Sequence, residues 1–124
     1  MSDATSLEVV FPGDTNHMGT LFGGTLMAWM DRSAFFAASR RARGTVVTRK
    51  VDELEFRVPI FVGDFVELTS RVEAEGRTSM TVLVEVHRES PADGTRELCT
   101  RGRFTMVAVD DAGAPIPLPP ARDD

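Results

Sequence analysis

Polar and apolar residues alternate strictly in the second half of the chain. In the segment 65–74 the even positions are mostly apolar and the odd positions mostly polar, and the segment 79–88 has the same two-residue period. A further strand is predicted over 97–109, after the turn SPADGT. Consecutive alternating strands of this kind predict an antiparallel sheet that places one face on a core.

The segment 46–58 is also predicted to be a strand, because it is rich in β-branched residues. Its alternation slips near Val51 to Glu53, which indicates a β-bulge. Together with a short strand at LEVVF near the N-terminus, the pattern predicts five strands in total.

One long helix is predicted between the first strand and the other four. The polar loop 12–20 leads into LFGGTLMAWMDRSAFFAASRRAR, which has the length of a helix, a basic last turn and a following Gly44 that is expected to end it. From Leu21 to Ala38 the segment is apolar on nearly all sides, so we expect it to be buried on most sides. One helix cannot cover both faces of a five-stranded sheet. The sheet should therefore wrap around the helix and pack against a second copy of the chain.

Size and composition restrict the class of protein. The 124 residues suffice for one domain, predicted over residues 1–118, and the Pro- and Asp-rich end, 119–124, is expected to be a flexible tail. Fourteen basic and nineteen acidic residues give a net charge of −5, which argues against a general nucleic-acid binder. The single Cys99 is expected to be a small hydrophobe in a strand, and no signal peptide or membrane span is visible, so we expect a cytoplasmic location.

Asp31 interrupts the apolar helix. Its neighbours at helical spacing cannot pair with a carboxylate; they are Met27, Ala28, Ala34 and Phe35. A partner must come from outside the helix, because a buried carboxylate without one is costly. Asp31 is therefore either held by a backbone group or an arginine of another subunit, or is a general base or nucleophile.

Gly23 and Gly24 lie at the predicted start of the helix, where each weakens the helix by about 1 kcal/mol relative to alanine. The unpaired N–H groups of a helix N-terminus can hold a carbonyl oxygen as negative charge develops on it. We expect an acid one to two turns further along to lie near that carbonyl. The two features together indicate acyl transfer or hydrolysis.

The loop in front of the helix favours no metal site. Asp14, Asn16 and Gly19 imitate the first half of a calcium loop, but Met18 and Thr25 occupy positions where ligands are needed. The two histidines and Cys99 show no local zinc spacing. Asn16 alone is equally compatible with a residue that only closes the turn.

The segments DTNHMGTLFGGTLMAWMD, GTVVTRKVDELEF, RVPIFVGDFVEL, EGRTSM and FTMVAVDDAGAPIPLP resemble the acyl-CoA thioesterases of the hotdog fold, in the bacterial group related to the cytosolic and brain acyl-CoA hydrolases. The resemblance covers about residues 6–118. It implies an α+β fold in which a five-stranded antiparallel sheet wraps around one long helix. It also implies a dimer whose sheets join, usually a trimer of such dimers, and metal-free, cofactor-free hydrolysis of acyl-CoA to free acid and CoA.

The resemblance assigns roles to individual residues. Asp31 matches the catalytic acid of the helix, and Asn16 matches a loop asparagine that acts across the dimer interface. Gly24, with Gly23 beside it, matches the glycines whose amides polarise the thioester carbonyl.

The resemblance also implies a CoA-binding surface. The turn containing Arg77, Thr78 and Ser79 matches one that lies near the CoA phosphates and pantetheine, although Arg77 is equally compatible with a solvated hairpin arginine. Val47 and Thr48 match a strand whose backbone lines the pantetheine path.

Two other functions remain open on this basis: a non-catalytic acyl-CoA-binding protein of the same fold, and a thioesterase for aromatic or carrier-protein thioesters. The residues leave acyl-chain length undetermined. They also do not distinguish a general base from a nucleophile at Asp31.

Overall fold

The computed structural model describes residues 3–121. Strand β1 (Ala4–Val9) is followed by a short 3₁₀ helix (Pro12–Asp14) and helix α1 (Gly23–Ala42). Four strands follow: β2 (Val46–Phe56), β3 (Phe65–Glu75), β4 (Ser79–Glu89) and β5 (Arg96–Ala108). The predicted order of one strand, one helix and four strands is confirmed.

The five strands form one antiparallel sheet in the order β1-β3-β4-β5-β2. Helix α1 contacts all five strands, so the sheet wraps around it as expected. Small residues allow the helix to approach the sheet closely, and Ala34, Ala37 and Ala38 are fully buried. The core is completed by Met30 of the helix and by large side chains of the sheet such as Phe104.

Strand β2 is an edge strand with two irregularities. Its register against β5 shifts between Thr48 and Lys50 and again between Asp52 and Glu55, and Glu53 lies in the left-handed region at φ 53°. The bulge predicted near Val51 to Glu53 is thus confirmed, and a second one precedes it. Because bulges bend a strand and re-aim its side chains, β2 can follow the side of the helix.

Helix α1 is less covered than the sequence suggested. Met27, Phe35 and Phe36 are 37 to 45% exposed in the single chain, so the expectation of a helix buried on most sides is wrong for one chain. The physical reason is that the sheet has two open edges: Phe35 lies beside β2 and Phe36 beside β1, and within residues 3–121 no element lies beyond either strand to cover these sides of the helix. The helix also ends one residue earlier than expected, with Arg43 at φ 54° in place of Gly44.

The segment after β5 turns back and binds the body of the domain. Ile116 N donates to Ala108 O at 2.9 Å, Leu118 N donates to Arg77 O at 2.9 Å, and Arg41 Nη1 donates to Pro119 O at 2.8 Å. The boundary at 118 and the flexible tail stay predictions, and residues 122–124 lie outside the described part of the chain.

Cys99 is fully buried, as expected, and burial raises the pKa of its thiol. None of the helices within residues 3–121 combines the length and the apolar character needed to cross a bilayer.

Candidate active site

Asp31 lies in the third turn of α1 and finds its partner on β2. Thr48 Oγ1 donates a hydrogen bond of 2.5 Å to Asp31 Oδ1. The carboxylate is only half-buried in the single chain, so the expectation of a buried acid is corrected for one chain. The expectation that its partner comes from outside the helix is met by a threonine hydroxyl.

An open cleft of about 560 Å³ surrounds this pair. The cleft lies between the exposed side of α1 and the start of β2, and Phe35, Val47 and Met106 line it with Asp31 and Thr48. Three of the sequence-predicted site residues, Asp31, Val47 and Thr48, are therefore brought together.

Gly23 and Gly24 form the first turn of α1, as predicted. The residue before them, Phe22, provides no side-chain cap, and the helical hydrogen bonds begin with Leu26 N to Phe22 O at 3.0 Å. The N–H groups of the first turn are consequently left for a partner from outside the helix. A Cβ at Gly23 would lie 3.9 Å from the Phe56 ring, and one at Gly24 3.5 Å from the Phe22 ring, which are ordinary contacts. Packing within the chain therefore does not demand glycine here, and Gly23 borders a cavity.

Asn16 closes the loop that precedes the helix. Its Oδ1 accepts hydrogen bonds from Met18 N at 2.9 Å and Thr20 N at 3.2 Å, and its Nδ2 donates to Thr20 Oγ1 at 2.8 Å. This is the turn-closing role left open above. An amide nitrogen carries two hydrogens, so one N–H donor of Asn16 has no partner within residues 3–121.

The loop between β2 and β3 holds this polar loop in place. Leu21 N donates to Ile60 O at 2.7 Å, and Asp64 accepts from both Phe61 N and Arg88 Nη1 at 2.9 Å. Hydrogen bonds and charge from Glu97 and from Asp64 raise the pKa of Arg88, so the Arg88 guanidinium that binds Asp64 stays charged. The start of α1 is therefore anchored on the loop between β2 and β3, which Arg88 of β4 joins to the sheet.

The two groups of site residues do not meet within one chain. Asp31 follows Gly24 by seven residues, which is about 10 Å along a helix axis. Gly23 lines a different cavity, of about 320 Å³, and this cavity shares no lining residue with the cleft of Asp31. The expectation that the acid lies near a carbonyl held by the glycine amides is wrong for a single chain, because the helical rise separates them.

The turn between β3 and β4 contains Arg77 and Thr78, and Ser79 is the first residue of β4. Thr78 O accepts from Ala108 N at 3.0 Å, and Ser79 lies opposite Val107, which lies opposite Val47. Two strand spacings, about 10 Å, thus separate Ser79 from Val47. The predicted CoA-binding residues share one end of the sheet, and the exposed Arg77 side chain has no ion-pair partner within residues 3–121.

The hydroxyl of Thr48 is the feature that sequence reasoning missed. The resemblance assigned only its backbone, whereas the structure places its side chain on Asp31. No signal in the sequence could have revealed this contact, because it joins positions 17 residues apart on different elements. Among the described residues, no group of three or more His, Cys, Asp or Glu side chains could hold a metal ion.

A family model described as the thioesterase superfamily matches residues 18–95, more than half of the chain. The chain belongs to the thioesterase superfamily. Its similarity to an uncharacterized acyl-CoA thioester hydrolase, YkhA of Bacillus subtilis (strain 168), is 44% identity over 110 residues, covering 89% of this chain and 64% of that protein. The superfamily domain described here thus spans somewhat less than two thirds of that relative.

Two solved structures confirm the hotdog fold of this superfamily member. A hexameric acyl-CoA thioesterase is 41% identical with a TM-score of 0.91, covering 98% of this chain and 78% of that one. An acyl-CoA hydrolase from Staphylococcus aureus, in complex with butyryl coenzyme A, coenzyme A and coenzyme A disulfide, is 36% identical with a TM-score of 0.88, covering 98% and 75%.

The Staphylococcus aureus hydrolase was also solved with single alanine substitutions at an asparagine, an aspartate and a threonine. In that protein the aspartate lies 15 residues after the asparagine, and the threonine lies 17 residues after the aspartate. Asn16, Asp31 and Thr48 have the same two spacings.

Proposed function

We propose that the chain hydrolyses acyl-CoA thioesters to a free carboxylic acid and CoA, at a site assembled between two copies of the chain. The observation that carries the proposal is the hydrogen bond from Thr48 to Asp31, because it joins two of three residues whose spacing matches the substituted residues of the Staphylococcus aureus hydrolase. The names of the similar proteins, acyl-CoA hydrolases and thioesterases, support the same reaction.

The helix start supplies the electrophilic half of the site. The thioester carbonyl oxygen accepts hydrogen bonds from the free amides of Gly24 and Gly23, which stabilise the negative charge that develops on it. The remaining N–H donor of Asn16 lies in the loop that enters this turn and orients the substrate or the attacking water.

Asp31 supplies the other half. Acting as a general base, it takes a proton from water while the water oxygen bonds to the carbonyl carbon; the carbon–sulfur bond then breaks and the proton passes to the departing CoA thiolate. Acting as a nucleophile, Asp31 bonds to the carbonyl carbon as the carbon–sulfur bond breaks and CoA leaves as a thiolate; water then hydrolyses the mixed anhydride, which restores the Asp31 carboxylate, releases the acid and supplies the proton to the thiolate. Thr48 fixes the carboxylate for either route, and the reaction needs no metal or other cofactor.

The two halves belong to different chains. Within one chain the acid and the helix-start amides are about 10 Å apart along the helix. A second copy placed against the exposed side of α1 and the free edge of β2 covers Phe35 and Met27 and brings its own helix start towards Asp31. The hexameric state of similar thioesterases supports a dimer that assembles further into a trimer of dimers.

CoA lies at the end of the sheet that holds both the β3–β4 turn and the start of β2. Arg77 contacts a phosphate, and Thr78, Ser79, Val47 and Thr48 border the pantetheine arm. The exposure of Arg77 and its lack of an ion-pair partner within residues 3–121 leave its guanidinium free for an anion.

The test is thiol release from acyl-CoAs of graded chain length by the wild type, Asp31→Asn and Asn16→Ala. We expect Asp31→Asn to lose at least a hundredfold in kcat, which is the usual contribution of a positioned general base. The matched control is Asp111→Asn, at an exposed aspartate after β5, which should behave like the wild type. Undiminished turnover in Asp31→Asn would contradict the assignment of Asp31 as the catalytic acid. Saturable CoA binding without hydrolysis of any thioester would show that the chain is a binding protein instead.

A further inference from the structure

The cavity beside the helix start has a mainly apolar wall. Its volume is about 320 Å³, and the apolar side chains that line it are Leu21, Leu26, Phe56, Val58, Pro59 and Ile60. Gly23 also lines it, so the cavity opens next to the amides that hold the thioester carbonyl under the proposed function. In a thioester the acyl chain extends from the carbonyl carbon on the side opposite the sulfur atom. Under the proposed function, the acyl chain extends into this cavity.

One side chain of this mainly apolar wall is polar and buried. Thr100 lines the cavity, is 1% exposed, and its Oγ1 is buried without a hydrogen-bond partner among the described residues. Buried hydroxyls are nearly always hydrogen-bonded, so an unpaired one indicates a missing partner.

The position of Thr100 relates this hydroxyl to the carbonyl site. Thr100 of β5 lies opposite Phe56 of β2, and the Phe56 ring ends 3.9 Å from the position of a Cβ at Gly23. The two strands and the helix start therefore border one space, and Thr100 and Gly23 are both part of its wall.

The other two polar side chains of the cavity, Thr20 and Arg57, each have at least one hydrogen-bond partner. Thr20 Oγ1 is hydrogen-bonded to Asn16, and Arg57 Nε donates to Glu55 at 2.8 Å. The remaining Arg57 donors belong to an exposed side chain, so Thr100 carries the buried polar group of the cavity wall that has no hydrogen-bond partner within residues 3–121.

We propose that Thr100 is a specificity-determining residue that favours acyl thioesters whose acyl group carries a hydroxyl or keto oxygen. A saturated chain fills the apolar cavity but leaves the Thr100 hydroxyl unpaired, whereas an oxygenated chain completes its hydrogen bond. Sites built around a buried polar group discriminate against ligands that leave this group unpaired. The inference rests on the proposed function for the direction in which the acyl chain enters.

The experiment compares kcat/KM for hexanoyl-CoA with 3-hydroxyhexanoyl-CoA, 3-ketohexanoyl-CoA and 5-hydroxyhexanoyl-CoA. Thr100→Val keeps the shape of the side chain and removes the hydroxyl. We expect it to lower the ratio of kcat/KM for the best oxygenated substrate to that for hexanoyl-CoA by about tenfold, while hexanoyl-CoA itself changes less than about twofold. Thr100→Ser should keep the wild-type ratio. So should the matched control Thr105→Val, which makes the same substitution on the same strand outside the cavity.

A ratio that is unchanged in Thr100→Val, or that changes equally in Thr105→Val, overturns the inference. Dissociation constants of the matching non-hydrolysable CoA thioethers give the same ratio without turnover. A wild type that hydrolyses no thioester would contradict the proposed function, and the thioether ratio would still decide the role of Thr100.

Discussion

Replacing Thr48 with valine removes the hydroxyl that donates to Asp31 Oδ1 at 2.5 Å and keeps the shape of the side chain. A hydrogen bond to a charged group contributes about 1.5–3 kcal/mol. Asp31 is half-buried, so water can replace part of the lost bond, and about 1–2 kcal/mol is a reasonable expectation. We therefore expect kcat to fall about 5- to 30-fold in Thr48→Val.

The assay is thiol release from butyryl-CoA over a range of concentrations, analysed for kcat and KM separately. A loss confined to kcat shows that Thr48 holds the carboxylate in position, because the contact acts on the acid and not on the substrate. Thr48→Ser keeps a hydroxyl and should recover most of the loss. Thr105→Val, on the neighbouring strand opposite Lys50, is the matched control and should match the wild type.

Two outcomes would refute this reasoning. A raised KM with unchanged kcat would make Thr48 a contact of CoA, as the sequence resemblance alone implied. Wild-type values for both constants would show that the hydrogen bond in the single chain has no part in the reaction.

Three further changes test the rest of the structure. Phe35→Glu places a charge on the exposed side of α1, where burial of the ring contributes about 1.5–3 kcal/mol to association. Size-exclusion chromatography should show a smaller species, and this species should have no activity. Leu7→Glu, on the edge strand β1, should change neither the size of the assembly nor the activity. Thr100→Val removes an unpaired buried hydroxyl and should raise the free energy of unfolding in urea by about 1–3 kcal/mol; a fall would show that the hydroxyl is satisfied. Burial raises the pKa of Cys99, so the folded chain keeps a proton that the unfolded chain loses; stability should therefore decline above about pH 8.5. Cys99→Ala should lack this part of the decline, and equal slopes in both proteins would contradict it.

The strands and the helix start could be predicted because their signals are local. Alternation located β3 and β4, the slip near Val51 located a bulge, and the paired glycines marked the first turn of α1. The superfamily and the fold, predicted from the resemblance, are confirmed.

The features that were missed depend on contacts between distant parts of the chain or between chains. Asp31 was expected to be buried because its helix is apolar, but the exposure of that side of the helix depends on which strand is the edge of the sheet. The contact of Thr48 with Asp31 depends on how β2 follows the helix, and the burial of the Thr100 hydroxyl without a partner depends on packing between distant elements. The role of each site residue in the reaction stays a prediction until the variants are measured.

The first turn of α1 has a consequence for how this protein can be stabilised. A serine or aspartate in place of Phe22 would cap the helix and add about 1 kcal/mol, and alanine at Gly23 and Gly24 would add about as much at each position. All three changes are ordinary ways to make a protein more thermostable. Here each would occupy or crowd the amides that the proposed reaction leaves open for the carbonyl. Selection for heat resistance alone should therefore favour substitutions at these three positions that inactivate the protein. Stabilising substitutions should be sought elsewhere in the fold.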